Sequence, residues 1–158
     1  MIRVFIIYGG SEGESIGRKL EIYFKSNGIK SFLASPTSPE ILPSEKFEER
    51  IDYELKNANF VIIVVTESIN SSEPAKNEIH RVLNELKYPY IPFVKEDSTI
   101  PSNLQDRWNV SFSDGNIDEK MIEIELKMWR YYDRIPTLET SVKSENDEIT
   151  AKKYTGFK

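Results

Sequence analysis

The chain has 158 residues, 39% hydrophobic and 30% charged, with 26 acidic against 21 basic side chains and a net charge of −5. That is the size of one domain, long enough to bury roughly two-thirds of its unfolded surface. The acidic balance disfavours nucleic acid, whose affinity rests on Lys and Arg neutralising phosphates, and the absence of cysteine excludes disulfides, thiolate metal sites and thiol nucleophiles.

Arg3–Tyr8 is a continuous β-branched and aromatic run, the pattern of a central parallel strand. It is too short to span a membrane and lacks a small-residue cleavage site, so a cytoplasmic protein with no membrane partner is expected. Gly9–Gly13 reads as a sharply bending loop. Ile16, Leu20, Tyr23 and Phe24 then recur at helical spacing, with Gly28 as the stop.

Ile29–Ala34 is a short second strand, followed by a loop of three prolines and three serines over 35–44. Ser44 is positioned to cap a helix whose stripe is Phe47, Ile51, Leu55 and Ala58. Phe60–Val65 is wholly apolar and reads as a third strand, buried on both faces. After a short polar turn, Ser72 or Glu73 caps a helix with Pro74 in its first turn, where a missing N–H does no harm. Ile79, Val82, Leu83 and Leu86 form its core side. Tyr90–Val94 and Val110–Phe112 are the remaining strands, and a last helix from Ile117 carries Met121, Ile124, Met128 and Tyr132. Residues 1–135 thus form one domain. Beyond Pro136 the periodicity fades, and 136–158 reads as a flexible tail with at most a marginal helix near 145–153.

Strands alternating with helices, joined by connections too long for hairpins, predict a parallel sheet with right-handed crossovers. The natural topology is a flavodoxin-like three-layer sandwich, strand order 2-1-3-4-5 with helices on both faces. Its switch point sets Gly9–Gly13 opposite Thr66–Glu78, at the carboxyl edge where such folds bind ligands.

Several residues bear on chemistry. Gly9, Gly10 and Ser11 let backbone N–H groups approach a phosphate, but the spacing matches no nucleotide fingerprint, and Glu12 and Glu14 repel an anion. Glu78 sits about one turn into the helix behind the crevice strand. A carboxylate there can stabilise an oxocarbenium-like ribose or attack it, whereas most surface glutamates only solvate a helix. His80, the single histidine, lies roughly 200° round the helix from Glu78, which argues against a metal site or a catalytic dyad. Trp108, Trp129, Tyr131 and Tyr132 read as core or a partner-binding face.

Taken together, the order of segments resembles a Toll/interleukin-1 receptor (TIR) domain of the bacterial and archaeal kind, over residues 2–133. The carriers are VFIIY at Val4–Tyr8, LEIYFKSNGIKSFLA, IDYELKNANFVIIVVTE, Tyr90–Phe93 and Ile100–Leu104. In NAD-cleaving members a Glu in the third helix is catalytic, within a pattern like S-x-W-x-x-x-E. Ser72 and Glu78 occupy those positions here, with Pro74 where the Trp often stands. The resemblance implies NAD(P) as substrate with no cofactor, nicotinamide release in defence or cell-death signalling, and a pocket touched by Gly9, Gly10, Ser11, Phe32, Leu33 and Ser72. It equally implies noncatalytic modules that self-associate through TIR–TIR contacts, or that sense nucleotides. A deoxyribosyltransferase-like enzyme, which also uses a Glu at a parallel-sheet edge, is a third reading.

Overall fold

The computed structural model describes residues 2–35 and 41–134. The tail proposed for 136–158 and the centre of the proline-rich loop lie outside them. The elements run β1 (Arg3–Ile7), α1 (Gly10–Ser26), β2 (Lys30–Leu33), α2 (Phe47–Lys56), β3 (Phe60–Val65), α3 (Glu73–His80), β4 (Tyr90–Lys95), β5 (Val110–Phe112) and α4 (Ile117–Arg134). A 3-10 segment, Glu67–Ser71, links β3 to α3, and α3 runs on into a π-helical stretch, Arg81–Leu86.

The five strands form one sheet in the order β2-β1-β3-β4-β5, every pair parallel. This is the expected flavodoxin-like topology. All six residues of β3 are buried, as a strand covered on both faces requires. Side chains alternate between the faces. Phe5, Ile7, Val61, Ile63 and Val65 share a core with Leu55 of α2 and with Ala75 and Ile79 of α3. Ile6 and Leu33 point the other way, towards α1, where a Cβ on Gly17 would stand 2.5 Å from Leu33 Cδ1. Pro92, which has no N–H to give, falls in β4 just before pairing with β5 begins at Phe93.

Two expectations are corrected. Gly9–Gly13 is not a loop, because the chain turns within two residues. Gly9 is extended (φ −134°) and Gly10 takes φ +77°, so α1 begins at Gly10. Ser44 does not cap α2, which starts three residues later with Lys46 at its N-cap and no side-chain cap bond.

Contacts divide the chain into Met1–Ile117, which holds the sheet, and a second unit beginning at Asp118. Within α4, Met121, Ile124 and Met128 are buried and Trp129 Nε1 donates to Glu125 at 3.2 Å. No helix among the described residues is long and apolar enough to cross a membrane.

Candidate functional site

The carboxyl edge of the sheet is built by three neighbouring segments. β3 is followed by Thr66, fully buried, whose hydroxyl donates to the Gly9 carbonyl at 3.5 Å. The 3-10 segment then lies directly on the β1–α1 turn. A Cβ on Gly9 would meet Ile69 Cα at 2.7 Å and Ser72 Cβ at 2.9 Å, and one on Gly10 would meet Ser68 Cβ at 2.4 Å. The glycines are there to let two stretches of protein touch. The space that the sequence left for a ligand between Gly9–Gly10 and the β3–α3 connection is taken up by Ser68, Ile69 and Ser72.

Ser72 ends that connection and starts α3. Its side chain accepts from Ala75 N at 3.3 Å, with Pro74 inside the first turn. It is therefore a helix cap, and through its Cβ a packing partner of the glycine turn. Ala75 and Ile79 hold α3 against the core. Glu78, one residue before Ile79, rides the margin of that stripe and is half-buried.

Burial dominates the electrostatics of Glu78. Loss of solvation raises its pKa from 4.5 to about 8, and the positive charge of Arg81 only partly offsets this. Arg81 is itself held by Asp52 Oδ1 at 3.0 Å. A carboxyl that burial holds protonated to near-neutral pH, early in the helix that follows β3, marks a candidate functional site.

Beside it lies a polar cluster that sequence reasoning missed. Tyr8, directly after β1, donates to Glu14 Oε2 at 3.5 Å. Buried Ser35, just beyond β2, also donates to Glu14 Oε2. Arg18 lies 3.7 Å from that oxygen, 3.3 Å from Ser35 Oγ and 3.7 Å from Glu21. Burial raises the Tyr8 phenol; the Ser35 hydrogen bond lowers it, the charges of Glu14 and Glu78 raise it, and Arg18 lowers it. Tyr8 thus feels both carboxyls at once, one from α1 and one from α3. The available signal was the i,i+4 pairing of Glu14 with Arg18, each next to a buried glycine (Gly13, Gly17) at the edge of the helix's packed side.

The remaining sequence candidates fall elsewhere. Ser11 is exposed on the first turn of α1. Phe32 and Leu33 are sealed in the core, 2% and 0% exposed, so neither side chain can line a pocket; β2 pairing with β1 turns them into the two faces of the sheet. His80 is exposed, with its Nδ1 3.1 Å from Asn84 Nδ2. Among the described residues no group of three or more His, Asp or Glu could hold a metal ion.

Comparison with known proteins agrees with the fold. The family model of the TIR domain matches residues 4–125. A search of curated proteins gives no significant match. Among solved structures, the TIR domain of the Toll-related receptor TRR-2 from Hydra magnipapillata is 19% identical (TM-score 0.63), covering 80% of this chain and 97% of that one. The TIR domains of the activated Roq1 resistosome are 14% identical (TM-score 0.53), covering 85% and 76%. A 2-deoxyribosyltransferase from Bacillus psychrosaccharolyticus shares the fold at 15% identity (TM-score 0.56), covering 74% and 90%. With the family model spanning most of its length, the chain belongs to the TIR-domain family.

Proposed function

We propose that the protein cleaves the bond between nicotinamide and ribose in NAD(P), with Glu78 as the catalytic carboxylate. The observation that carries this reading is the half-buried Glu78 carboxyl, its pKa raised to about 8, at the sheet edge beside Tyr8. The bond that breaks joins ribose C1′ to the positively charged ring nitrogen. Its electron pair passes to the ring, so nicotinamide leaves neutral and needs no proton from the enzyme. Positive charge is left on C1′ and the ring oxygen of the sugar. A carboxylate at that point stabilises the charge or traps it covalently, and water then supplies hydroxide to C1′ and releases a proton.

For this role Glu78 must be ionised. The cationic nicotinamide ring favours that, because an opposite charge lowers a carboxyl pKa. Burial is therefore useful: it leaves the carboxylate poorly solvated and strongly attracted to charge developing at C1′. No cofactor takes part.

A second reading is a noncatalytic module acting through TIR–TIR self-association. The Roq1 TIR domains, similar in fold, are part of a resistosome. Incubation of the purified full chain with NAD at high concentration, followed by chromatography of the products, separates the two. Nicotinamide and ADP-ribose or its cyclic form are expected. Intact NAD, together with concentration-dependent oligomers, supports the module; consumption of nucleosides in a parallel incubation, with NAD left intact, supports a transferase.

A further inference from the structure

Glu14 uses only half of its hydrogen-bonding capacity. A carboxylate offers two oxygens and about four acceptor positions. Here Oε2 takes every contact: the hydroxyls of Tyr8 and Ser35, and the guanidinium of Arg18. Oε1 has no partner among the described residues, although the Glu14 side chain is only 32% exposed.

The carboxyl is also locked in place. Ser35 is fully buried, and Arg18 is braced on its far side by Glu21. Gly13 holds the Glu14 backbone close to Tyr8, since a Cβ there would lie 3.3 Å from Tyr8 Cβ. A mere strut between α1 and the end of β2 would need Oε2 alone. A fixed carboxylate with one oxygen left open is the preorganised form of an acceptor site.

We propose that Glu14 binds the sugar of the substrate, with Oε1 accepting a hydrogen bond from a ribose hydroxyl beside Tyr8. This rests on Glu78 facing ribose C1′, as set out above. Tyr8 hydrogen-bonds Glu14 and feels the charge of Glu78, so a sugar hydroxyl next to C1′ that reaches Tyr8 also comes within reach of Glu14. The site therefore favours a ribonucleotide over a sugar lacking that hydroxyl, because the analogue covers the carboxylate oxygen without giving it a hydrogen bond. Specificity for ribose would lie in α1, and bond cleavage in α3.

The test measures binding to full-length Glu78→Gln protein, in which turnover is expected to be slowed at least about 100-fold, by ligand-detected NMR titration. The probes are nicotinamide riboside and its 2′-deoxy and 3′-deoxy analogues. At least one analogue is expected to bind roughly tenfold or more weakly, the usual effect of a lost charge-assisted hydrogen bond. Adding Glu14→Gln should shrink that preference, and adding Glu14→Ala should abolish it by weakening riboside binding alone. If Glu14→Ala does not fold, the Glu14→Gln comparison carries the test.

Equal affinity for all three probes, no binding of any, or a preference that survives loss of Glu14 overturns the proposal. Equal weakening of every probe marks Glu14 as structural and overturns it too. Cleavage of NAD by the wild-type chain is scored separately. A ribose preference without cleavage contradicts only the glycohydrolase reading, and cleavage without a ribose preference contradicts only the role of Glu14.

Discussion

Gly9 and Ser72 touch because Gly9 has no side chain: a Cβ there would stand 2.9 Å from Ser72 Cβ and 2.7 Å from Ile69 Cα. Ser72 is in turn the N-cap of the helix that carries Glu78. The turn after β1 thus bears directly on the start of α3, and the position of Glu78 depends on it.

Gly9→Ala should accordingly disturb the site as well as the fold. Both clashing atoms belong to rigid structure, so the expected destabilisation is about 1–3 kcal/mol, the usual range for overpacking. Thermal unfolding measures it. A melting temperature equal to that of the wild type would show that the turn yields without resistance.

Ser72→Ala removes the bond to Ala75 N, and loss of such a cap costs about 1 kcal/mol. Because Ser72 is here a cap and a packing surface, its loss should lower stability with little change in KM. Denaturant titration beside steady-state kinetics would check this. A large rise in KM with unchanged stability would make Ser72 a ligand contact.

The proton on Glu78 links stability to pH. Its folded pKa, about 8, lies above the unfolded value of 4.5. The folded state therefore holds a proton that the unfolded state has released at intermediate pH. Stability is full below about pH 4.5 and declines as pH rises towards 8, by on the order of 2–3 kcal/mol near neutrality. Glu78→Gln, which cannot ionise, should be more stable than wild type at pH 7–8 and equal to it near pH 4.5. Melts across that range test this, and a difference independent of pH would contradict it.

Catalysis should run against stability. In the proposed mechanism ionised Glu78 is the active form, so kcat/KM is expected to rise with pH to a midpoint near 8, the free-enzyme value. The midpoint of kcat should lie lower, since the bound cationic ring favours the carboxylate. Arg81 pulls the Glu78 pKa down, so Arg81→Gln should move the kcat/KM midpoint upwards. An unmoved midpoint would mean that another group controls the rate.

The sheet was readable from sequence because its signals are local. Phe60–Val65 carries six apolar residues without interruption, and Ser72 with Pro74 marks a helix start by residue type alone. The cluster around Glu14 was not readable. Ser35 meets Glu14 across 21 residues of sequence, and only pairing of β1 with β2 brings them together. The glycines misled for a related reason. Glycine permits close approach of a backbone, and nothing local says whether the visitor is a phosphate or, as here, Ser68 and Ile69. The π-helical stretch after His80, ended by Lys87 at φ 53°, likewise has no residue pattern that announces it.

The central claim is that the Glu78 carboxylate performs the cleavage. It is tested most directly by initial rates of nicotinamide release from NAD, for wild type and Glu78→Gln side by side, at equal high protein concentration and pH 8. Both proteins should be folded, the variant the more stable. The prediction is measurable release by the wild type and a loss of at least about 100-fold in the variant, the scale of removing a catalytic group. Equal release by the two proteins would contradict the account.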